Sequence, residues 1–307
     1  MKQAVIDIGS NSVRLTLYAI DETWHFKILF REKIMAGLAG YVENGSLTQE
    51  GIACAIAALD EFRQTLKLLD ICHVAVFATA SLRNIRNTAE ALLSIEAASG
   101  LTIEVLSGEE EAALGYWGAM QELHPSEGVF VDVGGASTEV VTFAGGAILG
   151  SKSFRVGSLS LYKSCVRKIL PDDGAQKRIR QAIADEMKGQ LPKGSYTQML
   201  GVGGTCRAVL KLAKKHFGLP QEIQSITREQ LEDLCAFLCQ GDREAAELIL
   251  RTEAERIHTL VPGILILRHI MEHYESKELI ICKYGVREGY LCQKILREMI
   301  TTPKTGN

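Results

Sequence analysis

The sequence predicts an α/β fold made of two similarly built domains. The chain has 307 residues, a length that suggests two domains at roughly 100–200 residues each. After each of two opening groups of short strands, strand-like and helix-like segments alternate. The stretches AVIDIGSNSVRLTLY (4–18) and VFVDVGGASTEVVTF (129–143) share one pattern of strand, Asp, apolar residue, Gly, small polar residues and second strand. An internal repeat of this kind indicates two domains of the same construction.

Composition and charge narrow the class of protein. Hydrophobic residues make up 47% of the chain and charged residues 23%, with a formal net charge of −3. Such a chain is not mainly disordered and carries no basic field for nucleic acid or an anionic membrane surface. The start, MKQAVIDIGSNSVRL, lacks the apolar core of a signal peptide, and no apolar run reaches the ~18 residues of a membrane span. We therefore expect a cytoplasmic protein with no nucleic-acid or membrane partner.

The eight cysteines include no CxxC pair, and we expect them to be reduced. Cys235 and Cys239 stand four residues apart in LEDLCAFLCQ, which is a helical spacing. Cysteines of this kind are more often core residues than metal ligands, so we predict a core-facing pair.

The first half opens with strands separated by turns at Gly9-Ser10-Asn11 and Ile20-Asp21-Glu22. Strands joined by such short connections are antiparallel neighbours. Thr48 is the expected N-cap of the first long helix, which ends near Leu69. The predicted strands are 2–8, 12–20, 24–33, 73–78 and 102–106, and the predicted helices are 48–69, 87–99 and 109–123.

The second half repeats this order and then becomes mostly helical. The predicted strands are 128–133, 137–143, 147–154, 197–202 and 278–282, and the predicted helices are 157–169, 173–190, 205–217, several over 227–275, and a last one from about 286. Pro125, Ser126 and Gly128 cluster where the repeat restarts. We expect domains at 1–124 and 125–307, with a final helix over about 288–307 that packs back on the first domain.

Two Asp-x-Gly turns lie at equivalent places in the repeat, one after Asp7 and one after Asp132. The backbone N–H groups of a glycine-rich hairpin end point outward and can bind phosphate oxygens. A carboxylate beside bound phosphate requires a cation, most simply Mg²⁺, so both aspartates are candidate metal ligands. The candidate phosphate contacts are Ser10, Asn11 and Ser12 in the first turn and Gly134, Gly135, Ala136, Ser137 and Thr138 in the second.

A third glycine-rich turn, LGVGGT (200–205), follows a predicted strand and opens a predicted helix, whose N-terminal amides favour an anion. In ATASLR (78–83), Arg83 follows a strand, at the edge where α/β folds bind ligands. A guanidinium there can bind a phosphate through two hydrogen bonds, although a lone arginine is also typical of a solvated surface.

Carboxylates form the other candidate group. SGEEEA (107–112) places Glu109, Glu110 and Glu111 at a helix start, where acidic residues suit the helix dipole. A glutamate that faces an anionic site could instead accept a proton from water, and spacing alone does not say which of the three does so. Glu139 follows the second turn along its strand and is either an exposed strand residue or part of this site.

Read together, the motifs resemble the exopolyphosphatase/guanosine pentaphosphate phosphatase (Ppx/GppA) family. The matching segments are IDIGSNSVRL (6–15), ATASLRNIRN (78–87), LSGEEEA (106–112), VDVGGASTE (131–139), GVGGT (201–205) and YGVREGYL (284–291). They occur in the family's order and span nearly the whole chain. The resemblance implies two actin-like (ribonuclease H-like) domains with a cleft between them, in the family's short, two-domain form.

The resemblance also implies roles for individual residues. Glu111 matches the catalytic carboxylate that orients or deprotonates the attacking water, and Arg83 matches a phosphate-binding arginine. Asp132 and Glu139 match the acidic pair associated with a divalent metal. The residues that match phosphate-loop positions are Ser10, Asn11, Gly134, Gly135, Ser137, Gly203, Gly204 and Thr205.

The implied function is metal-assisted hydrolysis of the terminal phosphate of inorganic polyphosphate, of guanosine pentaphosphate (pppGpp), or of both. The implied cofactor is Mg²⁺ or another divalent cation, and K⁺ is a candidate second ion. A homodimer is a candidate assembly, and the sequence does not resolve the oligomeric state. Two departures stand out: Ala136 replaces a glycine of the family's second loop, and the C-terminal segment reads VPGIL (261–265) without the usual Arg and Asp. There are two alternatives. One is an ATP-dependent kinase or ATPase of the actin-like superfamily, and the other is a non-catalytic polyphosphate or alarmone sensor.

Overall fold

The computed structural model describes residues 1–301, so the last residues of the predicted final helix, 302–307, lie outside the described part. The chain divides into two compact units. The first comprises Met1–Glu110 and the described residues from Tyr290 onward, and the second comprises Glu111–Gly289. None of the helices within residues 1–301 is both long enough and apolar enough to cross a membrane.

The first unit contains a five-stranded sheet in the order β3-β2-β1-β6-β7. Strands β1 to β3 are antiparallel, whereas β6 and β7 run parallel to β1. A separate two-stranded ribbon pairs β4 with β5. The strands are β1 (Lys2–Ile8), β2 (Val13–Ile20), β3 (Phe26–Ile34), β4 (Val42–Glu43), β5 (Ser46–Leu47), β6 (Val74–Ala78) and β7 (Ile103–Val105). The helices are α1 (Gln49–Leu68), α2 (Ala80–Arg83) and α3 (Thr88–Ser99), with a short 3₁₀ turn at Leu38–Tyr41.

Burial explains the order of these strands. In β1 every residue after Lys2 is buried, as expected for a central strand covered on both faces. Along β3 more and less exposed residues alternate, which is typical of an edge strand. Helix α1 packs its apolar stripe, including Leu59 and Phe62, against this sheet. The predicted N-cap is confirmed, because the Thr48 hydroxyl accepts a hydrogen bond of 3.2 Å from the Gly51 amide.

The second unit repeats this sheet and adds one strand, giving the order β10-β9-β8-β11-β13-β12. Here too the first three strands are antiparallel, and β11 and β13 run parallel to β8. The strands are β8 (Glu127–Val133), β9 (Thr138–Ala144), β10 (Ala147–Phe154), β11 (Gln198–Val202), β12 (Ser225–Thr227) and β13 (Glu278–Ile281). The helices are α4 (Gly108–Ala119), α5 (Ser158–Cys165), α6 (Asp173–Met187), α7 (Gly203–Phe217), α8 (Arg228–Cys239), α9 (Arg243–Glu253), α10 (Leu260–His273) and α11 (Val286–Tyr290).

Two apolar clusters of described residues lie in the second unit. The larger one lies between the sheet and helices α5 to α10, with Ile264 and Leu267 of α10 fully buried. The smaller one joins α4 to the sheet through Tyr116, Phe130 and Phe143. Glycine makes this second contact close, because a Cβ at Gly115 would overlap the Phe130 ring. The chain continues as a π-helical stretch at Leu291–Leu296 and ends its described part in α12 (Arg297–Thr301).

The predicted elements are present within a few residues of their expected bounds. The shortest elements, namely α2, the β4–β5 ribbon and the antiparallel strand β12, are not predicted from the sequence. Each of these spans two to four residues, so none shows a full period of an apolar pattern. The predicted helix 157–169 ends earlier, at Cys165, and the predicted helix 173–190 ends at Met187.

Candidate functional site

Three carboxyl groups share one neighbourhood in the second unit. Strand β8 places Asp132 directly opposite Glu139 of β9, so both side chains lie on the same face of the sheet. Glu139 is only 1% exposed, and the Ser153 hydroxyl donates a hydrogen bond of 2.7 Å to its Oε1. Burial raises the pKa of Glu139 well above its usual value, and the negative charges of Glu111 and Asp132 raise it further. Glu139 is therefore a buried residue of this acidic group, not an exposed strand residue.

The structure distinguishes the three consecutive glutamates of α4. Glu109 is exposed. Glu110 caps its own helix, since its carboxylate accepts from the Ser107 amide at 2.9 Å while the Ser107 hydroxyl accepts from the Glu110 amide at 3.1 Å. The hydrogen bond from the Ser107 amide is the main cause that lowers the pKa of Glu110, and Lys294 lowers it further. Glu111 is the one of the three whose charge acts on Glu139.

The second Asp-x-Gly turn is fixed by backbone hydrogen bonds. The Gly134 amide donates to the Ser137 carbonyl at 3.0 Å. The Gly134 and Gly135 carbonyls accept from the first amides of α5, at Ser158, Leu159 and Ser160, each at 2.9 Å. Within residues 1–301, the amides of Gly135 and Ala136 donate to no backbone carbonyl, which leaves them suited to an anion.

Two residues of this turn have informative details. Ala136 does not adopt the left-handed backbone that favours glycine, so its methyl group causes no backbone strain. Thr138 is fully buried, and its hydroxyl donates to the Val156 carbonyl at 2.6 Å. This predicted phosphate contact therefore uses its hydroxyl within the fold.

The third glycine-rich turn begins α7 beside the acidic group. Gly203 has a φ of 82°, and a Cβ there would overlap Oδ1 of Asp132. The Thr205 hydroxyl donates to the Val133 carbonyl at 2.9 Å, which ties the helix start to the end of β8. The N-cap residue, Val202, offers no side-chain acceptor to the first amides of α7, so these amides and the helix dipole form a site suited to an anion.

Sequence reasoning missed Arg256, which contacts this turn. A Cβ on Gly204 would overlap the Arg256 guanidinium, so the arginine lies directly against the helix start. Burial lowers the pKa of Arg256, although a guanidinium remains charged at neutral pH. The segment VPGIL (261–265), which lacks the arginine expected from the family resemblance, begins a few residues after Arg256 in AERIH.

In the first unit, the Asp-x-Gly turn has the same backbone but a different charge pattern. The Gly9 amide donates to the Ser12 carbonyl at 3.2 Å. Asp7 is 8% exposed and stands directly opposite Arg14, whose Nε donates to the Ser12 hydroxyl at 3.1 Å. Ser10 is buried and Asn11 is half-buried. This turn therefore carries its own cation.

Arg83 lies at the end of α2, one short helix after β6. Its Nη1 donates to the Leu106 carbonyl at 3.1 Å, at the exit of β7, and its side chain is half-buried. The preceding hydroxyl, on Ser81, donates to the Ile8 carbonyl. Arg83 is thus held at the carboxyl ends of the parallel strands, the edge at which α/β folds bind ligands.

The acidic group is suited to a hard cation by its chemistry. Carboxylate oxygens are the ligands that Mg²⁺ prefers, and Mg²⁺ commonly takes only one or two from the protein and the rest from water and phosphate. Among residues 1–301, no group of three or more His, Cys, Asp or Glu side chains is placed so that it could hold a metal ion by itself.

Comparison with known proteins identifies the family. The profile described as the Ppx/GppA phosphatase family matches residues 16–298. The chain belongs to the Ppx/GppA phosphatase family. It is therefore a phosphatase, that is, a hydrolase, and the predicted phosphohydrolase activity class is confirmed.

Relatives of the Ppx/GppA chain cover nearly its whole length. It is 24% identical over 308 residues to Exopolyphosphatase 1 of Mycobacterium tuberculosis, covering 96% of this chain and 88% of that protein. It is 26% identical over 294 residues to the putative exopolyphosphatase of Haemophilus influenzae, covering 94% and 90%.

Solved structures agree on the fold. The Aquifex aeolicus Ppx/GppA family member superposes with a TM-score of 0.78 at 27% identity, covering 97% of this chain and 98% of that one. An exopolyphosphatase from Cytophaga hutchinsonii superposes with a TM-score of 0.84 at 21% identity, covering 98% of both chains. The predicted α/β fold with two actin-like domains is confirmed.

Proposed function

We propose that this Ppx/GppA phosphatase is an exopolyphosphatase, which releases the terminal phosphate of inorganic polyphosphate. The observation that carries the proposal is the acidic group formed by Glu111, Asp132 and Glu139 beside two glycine-rich anion sites. Relatives named exopolyphosphatase, which match the chain over nearly its whole length, support polyphosphate as the substrate.

Glu111 is the proposed base. It is half-buried at the start of α4, and its charge is one of the two carboxylate charges that raise the pKa of the buried Glu139. A water held by Glu111 would lose its proton to the carboxylate as the water oxygen attacks the terminal phosphorus. The bond to the bridging oxygen breaks on the opposite side, and the shortened chain leaves as an anion.

The anion sites are proposed to hold phosphate oxygens while this bond breaks. In the second unit these are the amides of Gly135 and Ala136, the helix start at Gly203 and Gly204, and the Arg256 guanidinium. In the first unit the candidates are the Ser10–Ser12 turn and Arg83. Buried hydrogen bonds orient both groups before substrate arrives, which lowers the reorganisation needed in the transition state.

Asp132 is the proposed contact to Mg²⁺. It is half-buried, whereas Glu139 is buried and already accepts hydrogen bonds from Ser137 and Ser153. We therefore assign Glu139 the role of supporting the metal site beside Asp132, and Asp7 is the corresponding candidate in the first unit. When bound, Mg²⁺ supplies positive charge against the charge on the phosphate oxygens.

The test replaces Glu111 and compares it with its neighbour in the same helical turn. Glu111→Gln is expected to lower kcat for phosphate release from polyphosphate at least ~100-fold, because the amide cannot accept the proton. Glu109→Gln, an exposed position, is expected to keep kcat within about 2-fold. Equal activity of the two variants, with wild-type unfolding curves for both, would remove Glu111 from the mechanism.

The same assay distinguishes the substrates. Polyphosphate and pppGpp are compared with and without Mg²⁺, and nucleotide is omitted from the polyphosphate reaction. We expect polyphosphate to give a kcat/KM at least ~10-fold higher, and no release without Mg²⁺. A higher value for pppGpp would reassign the substrate, and binding of polyphosphate without phosphate release would identify a sensor.

A further inference from the structure

Helix α8 carries a pair of thiols with unequal exposure. Cys235 is 1% exposed, whereas Cys239, the last residue of the helix, is half-buried. The helical spacing predicts that both face the core, and Cys235 does. Because the residue at the helix end remains accessible, Cys239 can meet a small reagent that Cys235 cannot.

One arginine contacts Cys239 and the charge of a second acts on it. The Nη2 atom of Arg180, on α6, lies 3.9 Å from the Cys239 sulfur and 3.3 Å from Oε1 of Gln176. Gln176 in turn donates to the Cys239 carbonyl at 2.6 Å, which fixes the end of α8 against α6. Arg268, on α10, has a buried Nε that has no hydrogen-bond partner within residues 1–301. Its charge favours the thiolate of Cys239.

These neighbours change the proton affinity of Cys239. The hydrogen bond from the Cys235 thiol is the main cause that lowers the pKa of Cys239, and the charges of Arg180 and Arg268 lower it further. Two buried cysteines of this unit, Cys206 and Cys282, show the opposite trend. Burial raises the pKa of Cys282 to about 12 and also raises that of Cys206.

We propose that Cys239 is a nucleophilic cysteine that hydrogen peroxide and similar soft electrophiles modify, with Cys235 as its hydrogen-bond donor, Arg180 in contact with its sulfur and Arg268 as a second positive charge. The Cys239 sulfur attacks one peroxide oxygen, the O–O bond breaks, and the second oxygen leaves as hydroxide, which takes a proton to become water. The sulfur is oxidised to a sulfenic acid and the peroxide is reduced. The proposal does not depend on the proposed phosphatase mechanism.

Cys235 acts as a donor and not as a second redox partner. Residues four apart on a helix have Cβ atoms roughly 5–6 Å apart, whereas a disulfide needs roughly 3.5–4.5 Å. A disulfide between these two residues would require the last turn of α8 to unwind. The sulfenic acid at Cys239 is therefore expected to persist until an external thiol reduces it.

The test measures the alkylation rate of each cysteine in the full chain. Iodoacetamide is applied from about pH 6 to about pH 9, and the modified peptides are quantified by mass spectrometry. At pH about 7, Cys239 is expected to react at least ~10-fold faster than the exposed Cys72. Hydrogen peroxide followed by dimedone is expected to label Cys239 in preference to the other cysteines.

Variants separate the donor from the charges. Cys235→Ala is expected to slow Cys239 alkylation about 10-fold near pH 7, and Cys235→Ser to restore it, because a hydroxyl also donates. Arg180→Gln, at an exposed position, is expected to slow it several-fold, whereas Arg180→Lys keeps the charge and the rate. Three outcomes would overturn the proposal. The first is a Cys239 alkylation rate equal to that of Cys72, and the second is a Cys239 rate that is unchanged in both Cys235→Ala and Arg180→Gln. The third is a Cys235–Cys239 disulfide.

Discussion

The Asp-x-Gly turns of the two units share a backbone and differ in charge. Gly9 and Gly134 each donate their amide to a serine carbonyl three residues on, at 3.2 and 3.0 Å. A Cβ on either glycine would approach the same carbonyl, at 3.0 Å for Ser12 and 3.1 Å for Ser137. Opposite the aspartate, however, the first unit has Arg14 and the second has Glu139. The repeat therefore preserves the turn while its cross-strand partner is free to change.

The likeness extends to the neighbouring parallel strand. After β6, the Ser81 hydroxyl donates to the Ile8 carbonyl. After β11, the Thr205 hydroxyl donates to the Val133 carbonyl. Ile8 and Val133 are the equivalent residues after the two aspartates. The same buried hydrogen bond thus holds each aspartate-bearing strand end against the start of the following helix.

The difference in charge indicates a difference in task. An aspartate opposite an arginine is balanced within its own unit, whereas an aspartate opposite a buried glutamate leaves negative charge that a cation can offset. The second unit is therefore the better candidate for binding the metal ion. The first unit, with its serines and Arg83, is better suited to neutral and cationic contacts with phosphate.

The largest expected effect comes from giving the first turn the charge pattern of the second. Arg14→Glu places like charges directly opposite each other at the buried Asp7 and removes the donor to Ser12. We expect the free energy of unfolding to fall by about 3 kcal/mol, measured by urea denaturation. Arg14→Lys is the matched control and should lose less than about 1 kcal/mol. Equal losses would show that charge at this position does not matter.

The second prediction concerns pH. The folded-state pKa of Glu139 is raised above its unfolded value by burial and by two neighbouring carboxylates. The contribution of Glu139 to stability is therefore fully present at pH values below the pKa of Glu139 in the unfolded state. It is lost as pH rises through the pKa of Glu139 in the folded state. Glu139→Gln, which cannot ionise, should flatten the fall of Tm over this window and raise Tm at its upper end. Parallel Tm profiles for variant and wild type would contradict the burial of an ionisable group here.

The third prediction uses adjacent glycines at the start of α7. Gly203→Ala forces a side chain into a left-handed backbone and against Asp132, so we expect a loss of about 2 kcal/mol of unfolding free energy. Gly204→Ala meets only the end of the flexible Arg256 side chain, and should cost less than about 1 kcal/mol. Calorimetric unfolding of both variants shows which one loses more unfolding free energy. If Arg256 were rigidly held, Gly204→Ala would lose more than Gly203→Ala.

The smallest expected effect tests the shared hydroxyl bonds. Ser81→Ala and Thr205→Val each remove one donor to a strand-end carbonyl. Each is expected to cost about 1 kcal/mol, since a net intramolecular hydrogen bond contributes about 0.5–1.5 kcal/mol. Chemical denaturation of the two variants should give losses that agree within about 0.5 kcal/mol. A clear inequality would mean that the repeat is preserved in geometry but not in energy.

The sequence predicted the elements and their order because apolar periodicity and turn residues are local signals. Thr48 was identified as a cap from its position, and the strand meanders were identified from short turns. The repeat was visible because the Asp-x-Gly turn requires particular residues in both units. The choice among Glu109, Glu110 and Glu111 followed only from family resemblance, since three consecutive residues point in different directions around a helix.

The local sequence by itself determined the strands, the longer helices, the turns and the candidate anion sites, because each depends on residues close together in the chain. Only the tertiary structure decided that Glu139 is buried against two other carboxyls, that Arg256 rests on the α7 start, and that Cys239 lies beside Arg180. These features join residues far apart in sequence. Their burial and charge environment arise from packing, which no local pattern encodes.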